Sequence, residues 1–258
     1  MKQAIVAGID AGSTIIKAVL YDGERLACWQ RPAGWNPRAE AADLLAAAVA
    51  AWNIRAEDLA FLVGTGYGRE GLPFLTKAMT EITCHARGAF FLVPGVRTVI
   101  DIGGQDAKAI TLNQAGRVDE FLMNDKCAAG TGRFLQVMAH ALNLNLADIA
   151  GRSFTDEPAC KINSMCTVFA ESEVIGLLNR GHSRHAIMAG LYRSIASRVA
   201  SMAARLNPAA PLCLTGGLSQ HACLGSCLQK ELNLPVIVPE NAVYAGAIGA
   251  ALLAWENL

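Results

Sequence analysis

The sequence predicts an α/β fold with two lobes. Strand-like and helix-like segments alternate along the chain of 258 residues, and this alternation is typical of α/β domains. Two similar units also recur. In residues 5–21 and again in residues 98–112, an apolar strand ends in an aspartate, a turn of small residues follows, and a second strand returns. The repeat indicates duplicated lobes, which we assign to residues 1–95 with 240–258 and to residues 96–239.

Composition supplies ample apolar material for a core. Hydrophobic residues make up 53% of the chain, the formal net charge is zero, and no block of like charges occurs. This balance argues against a nucleic-acid or membrane-surface role. The sequence has no basic leader with a cleavage site, and the alanine-rich run at 39–52 is too short to span a bilayer. We therefore expect a soluble, cytoplasmic protein without nucleic-acid or membrane partners.

Each repeated unit has the residue pattern of a phosphate-binding hairpin. Asp10 precedes a turn of small residues at 12–14, where hydroxyls and backbone N–H groups can meet phosphates while the carboxylate faces a magnesium ion. An ordinary hairpin gives the same pattern, so one unit alone is ambiguous. Asp101 and the glycines at 103–104 repeat the arrangement. The pair therefore predicts two lobes that face one nucleotide.

A third glycine turn, at residues 215–217, follows another apolar strand. Such a turn lets a flat ring or a sugar approach bare backbone. The last predicted helix, residues 244–255, is rich in glycine and alanine, which permits close approach to another element or to a ligand. We also expect a short strand at residues 81–83 ahead of a helix at residues 84–92.

Two of the eight cysteines stand just ahead of predicted helices, namely Cys127 and Cys166. In a reducing compartment a cysteine is a small buried residue, a reactive thiol or a metal ligand rather than half of a disulfide. A helix N-terminus favours a thiolate through its unpaired N–H groups and its dipole. Behind Cys127, Gly130 and Gly132 can bring backbone donors close to a phosphate. One loop could therefore serve both a sulfur-bound metal and a nucleotide.

The three glycine units resemble the phosphate-1, phosphate-2 and adenosine motifs of the actin, sugar kinase and Hsp70 ATPase superfamily. Within it, residues 124–135, 166–174 and 245–250 resemble the activator component of 2-hydroxyacyl-CoA dehydratases, a family grouped with the ATPase subunits of benzoyl-CoA reductase. The resemblance covers nearly the whole chain. It implies a two-lobed actin-like, or ribonuclease H-like, ATPase fold with the nucleotide cleft between the duplicated lobes.

The resemblance also implies an activity. An activator of this kind transfers a single low-potential electron to a 2-hydroxyacyl-CoA dehydratase or a related reductase, and ATP hydrolysis drives the transfer. Its [4Fe-4S] cluster lies between the two subunits of a homodimer and is held by two cysteines of each chain, which here are Cys127 and Cys166. The implied partners are a second copy of the chain, a dehydratase-like iron–sulfur protein, and an upstream ferredoxin or flavodoxin.

The resemblance further implies a site for ATP or ADP with Mg2+. The catalytic residues it assigns are Asp10, Asp101 and Gln105. The nucleotide-binding residues it assigns are Gly12, Ser13, Thr14, Lys17, Gly103, Gly104, Gly130, Thr131, Gly132, Gly216, Gly217, Gln220 and Gly246. Two departures from close relatives, Val243 in place of Gln and His221 in place of Asn, concern the contacts to adenosine.

Other interpretations of these residues exist. A small-molecule kinase of the same fold would use Asp125 or Asp106 as the catalytic base, but it has no use for cysteines at two helix starts. A nucleotide-gated binding module would need no cluster at all. Within the cluster hypothesis the alternative ligands are Cys160, Cys223 and Cys227. The last two lie one helical turn apart, which suits a metal, although two buried thiols on a helix face explain the spacing more simply.

Overall fold

The computed structural model describes residues 4–152, 154, 158–164 and 166–258. Within these ranges the strands are β1 Ile5–Ala11, β2 Ile15–Tyr21, β3 Leu26–Pro32, β4 Leu59–Thr65, β5 Lys77–Ala78, β6 Thr98–Ile102, β7 Ala107–Leu112, β8 Val118–Asn124, β9 Leu212–Thr215 and β10 Val236–Ile237. The α-helices are α1 Pro37–Ala51, α2 Glu81–Leu92, α3 Gly132–Ala141, α4 Leu146–Ile149, α5 Thr167–Asn179, α6 Arg184–Ala204, α7 Ala222–Leu232 and α8 Ala245–Trp255. Among the described residues, no helix has the length and apolar character needed to cross a bilayer.

The chain divides into two compact units. Unit 1 consists of Met1–Gly95, Leu112–Val118 and Asn241–Leu258, and unit 2 consists of Val96–Thr111 and Asp119–Glu240. Each unit contains one five-stranded mixed sheet. The predicted α/β fold with two lobes is confirmed.

The sheet of unit 1 has the order β3-β2-β1-β4-β5. β1 is antiparallel to β2 and parallel to β4, so β1 and β4 end at the same edge of the sheet. Successive side chains of a strand point to opposite faces, and β1 accordingly contributes Ile9 to the core beneath α1 and Val6 to the core beneath α8. The sheet is therefore buried on both faces, which explains why β1 is apolar along nearly its whole length.

Helix α2 packs on α8 through bare backbone. A Cβ atom placed on Gly88 would overlap the carbonyl oxygen of Ala245, and one placed on Gly249 would overlap the carbonyl oxygen of Cys84. The small residues predicted for the last helix thus allow close contact with another helix. The strand predicted at residues 81–83 is wrong, because α2 already begins at Glu81. The Thr80 hydroxyl accepts a hydrogen bond from the backbone N–H of Thr83 at 3.2 Å and caps the helix there.

The sheet of unit 2 has the order β10-β9-β6-β7-β8. β6 is antiparallel to β7 and parallel to β9, which is the same local arrangement that β1 has with β2 and β4. Helices α3 and α5 pack against one another, α6 touches both of them, and α7 packs on α6. The two helices that follow Cys127 and Cys166 are therefore neighbours within one core.

Candidate functional site

Asp10 lies at the end of β1 and is almost fully buried, with 5% of its surface exposed. The Lys17 ammonium group donates to its Oδ2 atom at 3.0 Å, because the register of β1 and β2 places these two residues opposite one another. Ser13 and Thr14 form the exposed tip of the hairpin. The hairpin therefore combines a fixed carboxylate and a fixed cation with free hydroxyls, as a phosphate and magnesium site requires.

Asp101 at the end of β6 repeats this arrangement in unit 2. Its Oδ2 atom accepts a hydrogen bond from Lys108 at 3.2 Å, and the same ammonium group lies 2.8 Å from Oδ1 of Asp106. Lys108 is almost fully buried between the two carboxylates, with 2% of its surface exposed. Lys17 was predicted from the sequence as a site residue, whereas Lys108 was not. The signal was present, since each lysine follows its aspartate by 7 residues.

A threonine and a glycine complete each hairpin. The register places Thr65 of β4 beside Asp10, and Thr215 of β9 beside Asp101. The next residue is in both cases a glycine with positive φ, +90° at Gly66 and +86° at Gly216.

The bare backbone of these glycines lies against the aspartates. A Cβ atom on Gly66 would lie 2.6 Å from Oδ1 of Asp10, and one on Gly216 would overlap Oδ1 of Asp101. Gly216, predicted to contact adenosine, also lies with its backbone beside the Asp101 carboxylate.

The glycine turn of the Asp101 hairpin is joined directly to the start of α3. The backbone N–H of Gly132 donates to the carbonyl oxygen of Gly103 at 2.9 Å, and that of Arg133 donates to the carbonyl oxygen of Gly104 at 2.8 Å. A Cβ atom at position 132 would lie 3.2 Å from the Gly103 oxygen, so only glycine allows this approach without displacement. The predicted phosphate turn and the loop that carries Cys127 therefore share a backbone connection.

The backbone of the loop that carries Cys127 is fixed by the side chain of Asn124. The side-chain amide nitrogen of Asn124 donates to the carbonyl oxygens of Cys127 and Ala129, at 3.1 and 3.0 Å. The Thr131 hydroxyl donates to the carbonyl oxygen of Ala128. The loop is thus fixed by its own side chains, and Cys127 is partly buried. The sequence analysis did not assign Asn124 this part.

Cys166 is the N-cap residue of α5 and is solvent-exposed. The segment before it is fixed by Glu173, whose carboxylate accepts hydrogen bonds from the backbone N–H groups of Asn163 and Ser164 at 3.0 and 2.8 Å. Burial raises the pKa of Glu173, but these hydrogen bonds outweigh burial and leave the pKa below its usual value. The segment before Cys166 is therefore fixed by Glu173, a residue of α5, the helix that follows Cys166.

The other six cysteines have different surroundings. Cys84, Cys160, Cys213 and Cys223 are buried, and burial raises the pKa of the Cys84 and Cys213 thiols to about 12. On α7, a hydrogen bond from Cys227 lowers the pKa of Cys223. The two thiols thus interact with each other on one helix.

The predicted adenosine loop follows β9 as a short turn, Gly217–Gln220, ahead of α7. His221 caps the start of α7 and is buried, and burial lowers its pKa to about 4. Its Nδ1 atom lies 2.7 Å from the hydroxyl of Tyr192 on α6. His221 therefore connects the start of α7 to α6.

The structure groups the predicted residues by unit. In unit 1, Gly246 lies beside Asp10: a Cβ atom on Gly246 would be 3.3 Å from Oδ2 of that carboxylate. In unit 2, the residues brought together at the end of β6 are Asp101, Gly103, Gly104, Gly132 and Gly216. Gln105 and Gln220 are exposed.

Comparison with known proteins decides the family. The model of the BadF/BadG/BcrA/BcrD ATPase family matches residues 7–254 of this chain. The chain belongs to this ATPase family. The resemblance predicted from the glycine units and the two cysteine segments is thereby confirmed.

Several members of this group are similar over their full length. An activator of lactoyl-CoA dehydratase from Anaerotignum propionicum is 43% identical over 250 residues, which cover 96% of each chain. The crystal structure of (R)-2-hydroxyglutaryl-CoA dehydratase component A from Acidaminococcus fermentans matches with a TM-score of 0.94 at 41% identity and 98% coverage of each chain. The activator of the 2-hydroxyisocaproyl-CoA dehydratase from Clostridium difficile, with bound ADPNP, matches with a TM-score of 0.93 at 38% identity, covering 98% of this chain and 95% of that one.

Proposed function

We propose that this chain is an ATP-driven electron donor. It binds ATP with Mg2+, hydrolyses it, and delivers one low-potential electron from a [4Fe-4S] cluster, shared by two copies of the chain, to a dehydratase-like iron–sulfur protein. The observation that carries the proposal is the pair of hydrogen bonds from Gly132 and Arg133 to the Gly103–Gly104 turn. Through them, a phosphate held at the turn acts on the loop that carries Cys127. Activators of acyl-CoA dehydratases among the relatives support the same assignment.

The donor set of the described residues fits an iron–sulfur cluster. Cys127 and Cys166 are accessible thiols that stand ahead of two packed helices, α3 and α5. A cubane takes four thiolates, so a second copy of the chain, related by a twofold axis, supplies the other two. Val168 and Phe169, next to Cys166, are 69% and 68% exposed. Exposed apolar side chains are typical of a surface that binds another protein, which in this proposal is the second copy of the chain.

When bound, the cluster supplies a one-electron donor whose potential depends on the charge and the hydrogen bonds around its sulfur atoms. The chain's own residues set that environment. The N-terminus of α5 lies directly behind Cys166 and favours the negative charge of a thiolate. Asn124 fixes the backbone on which Cys127 stands. These residues hold the sulfur atoms in place while an electron enters and leaves.

The two hairpins carry the nucleotide chemistry. Carboxylate oxygens are the ligands that magnesium prefers, and Asp10 and Asp101 present them in fixed positions next to Lys17 and Lys108. The turns that follow each aspartate offer backbone N–H groups and, after Asp10, hydroxyl groups to phosphate oxygens. Gln105 is exposed at the second turn and is our choice for orienting the attacking water. From the adenosine turn we assign Gly217 and Gln220 to the nucleoside.

Iron analysis tests the cluster. After anaerobic purification, we expect a brown dimer with about four iron atoms per two chains, as a cubane held by four thiolates requires. Cys127→Ser and Cys166→Ser should each remove the iron. Cys28→Ser and Cys227→Ser are matched controls, because both residues are also partly accessible cysteines, and they should retain it. A colourless monomer without iron, or loss of iron in the Cys227 variant alone, would contradict the assignment.

A second experiment tests the connection between nucleotide and cluster. Gly132→Ala places a methyl group 3.2 Å from the Gly103 oxygen and should displace α3 from the turn. We expect the variant to keep its iron and its ATP hydrolysis but to lose most ATP-dependent electron transfer to an artificial acceptor. Gly151→Ala is the control, because the space around that position is open. Equal electron transfer in both variants would show that these hydrogen bonds are not the coupling element.

A further inference from the structure

His85 on α2 and Asp10 at the end of β1 both lie next to Gly246 of α8. Both side chains are buried, with 4% and 5% of their surfaces exposed. A Cβ atom on Gly246 would lie 2.8 Å from Nε2 of His85 and 3.3 Å from Oδ2 of Asp10. The imidazole and the carboxylate therefore border the same small volume, which exists because residue 246 has no side chain.

The packing of α2 on α8 determines where the imidazole ring lies. The contacts at Gly88 and Gly249, on either side of His85, bring the two helix backbones together. In such a close contact a larger side chain has space only where the facing residue is a glycine, and Gly246 supplies that space. The ring is thereby fixed at the end of α8 that lies against Asp10.

Asp10 already has other fixed neighbours. Lys17 donates to its Oδ2 atom at 3.0 Å, and the bare Gly66 backbone lies against its Oδ1 atom. A carboxylate that must present an oxygen in a defined direction is held by groups around it, and such supporting groups affect activity without touching the substrate.

We propose that His85 is a positioning residue for Asp10, and that Gly246 serves this pair by leaving room for the imidazole ring. The proposal rests on the proposed function, in which Asp10 acts in ATP hydrolysis. His85 holds the carboxylate in the orientation that magnesium and phosphate require. It takes no proton from the substrate and contacts no nucleotide.

Steady-state kinetics of the anaerobically purified dimer test the role. We expect His85→Ala to lower kcat for ATP hydrolysis by about 10- to 100-fold, the usual effect of losing a supporting residue, while KM changes little. His85→Gln keeps a side-chain donor and should recover part of the loss. Gly246→Ala should act like His85→Ala because it displaces the ring. His182→Ala is the control, since His182 is an exposed histidine and its loss should leave kcat unchanged.

Nuclear magnetic resonance supplies a second measurement that does not depend on activity. In protein labelled with 15N at histidine, Asp10→Asn should shift the ring nitrogen resonances of His85, while those of His182 stay in place. An unchanged kcat in His85→Ala, or an unchanged His85 resonance in Asp10→Asn, would overturn the proposal. Wild-type protein without ATPase activity and without iron would overturn the proposed function instead, and the resonance comparison would then decide the His85–Asp10 contact alone.

Discussion

Unit 1 and unit 2 surround an aspartate with the same three residue types, namely a lysine, a threonine and a glycine. In unit 1, Asp10 lies opposite Lys17 on the antiparallel neighbour and beside Thr65 on the parallel neighbour. In unit 2, Asp101 has Lys108 and Thr215 in the corresponding positions. A glycine with positive φ follows each threonine. The repeat seen in the sequence is therefore a repeat of side-chain contacts and not only of strand order.

The differences lie in what each hairpin is attached to. Lys108 joins a second carboxylate, Asp106, to the first. The Thr215 hydroxyl donates to Oδ1 of Asp101 at 3.3 Å, whereas the buried Thr65 hydroxyl has no hydrogen-bond partner among the described residues. The turn after Asp101 is hydrogen-bonded to α3, and the carboxylate of Asp10 lies against α8 instead. The residue types common to both hairpins surround an aspartate, and the contacts that only one hairpin makes connect it to a different helix.

Among the substitutions that compare the two hairpins, those of the two lysines should differ most in the free energy of unfolding. Lys108→Met removes a buried cation from two carboxylates and should lower the free energy of unfolding by about 3–5 kcal/mol, the usual cost of leaving a buried charge unpaired. Lys17→Met affects one carboxylate and a more exposed cation, so we expect about 1.5–3 kcal/mol. Urea unfolding of both variants measures the difference. Equal losses would show that Asp106 adds nothing to the second hairpin.

The two positive-φ glycines test what the hairpins share. Gly66→Ala and Gly216→Ala each place a side chain in a left-handed backbone conformation next to a carboxylate. Each substitution should lower the free energy of unfolding by about 1–3 kcal/mol. Thermal unfolding of the two variants should give similar losses. A loss at only one position would mean that the two turns are not equivalent.

Substitutions of the two threonines should differ by a smaller amount in the free energy of unfolding. Thr215→Val removes a hydrogen bond to a buried carboxylate and should cost about 1.5 kcal/mol. Thr65→Val should cost about 0.5 kcal/mol at most, because the Thr65 hydroxyl has no hydrogen-bond partner among the described residues. Chemical unfolding with both valine variants and the wild type measures the two values. The comparison would fail if Thr65→Val were the more damaging change.

An effect of similar size is expected for a contact in unit 2, between Glu173 and the segment before Cys166. Because the pKa of Glu173 is lowered on folding, the ionised carboxylate stabilises the folded state above the usual carboxyl pKa. That contribution disappears as the pH falls through the lowered value. Glu173→Gln should therefore be less stable than wild type by about 1 kcal/mol near pH 7 and equally stable in strong acid. Unfolding measured across the acid range tests this, and a pH-independent difference would contradict it.

Sequence reasoning succeeded where the signal is local. Apolar strands that end in Asp10 and Asp101, the turns after them, and the cysteines ahead of α3 and α5 all follow from neighbouring residues. The strand expected at residues 81–83 failed because a single capping contact from Thr80 outweighed β propensity.

Residues whose partners come from elsewhere in the fold were not found. Lys108 depends on the register of β6 and β7, and Glu173 reaches 10 residues back along the chain. The position of the His85 ring in the space left by Gly246 depends on the packing of α2 on α8, which are distant in sequence. The pattern of strands and turns was thus predictable, while the side chains that hold the functional residues in place were not.

The contact between β1 and α8 has a consequence for the order in which the chain folds during synthesis. The bare backbone of Gly8 lies directly against α8 at Ala247 and Ala251, so one face of the first sheet lacks this helix until residues 245–255 have left the ribosome. The whole of unit 2, Val96–Thr111 and Asp119–Glu240, is synthesised before then. We therefore expect unit 2 to complete its core first, while an apolar face of the sheet in unit 1 is still exposed. Such a surface on a nascent chain is one that chaperones bind.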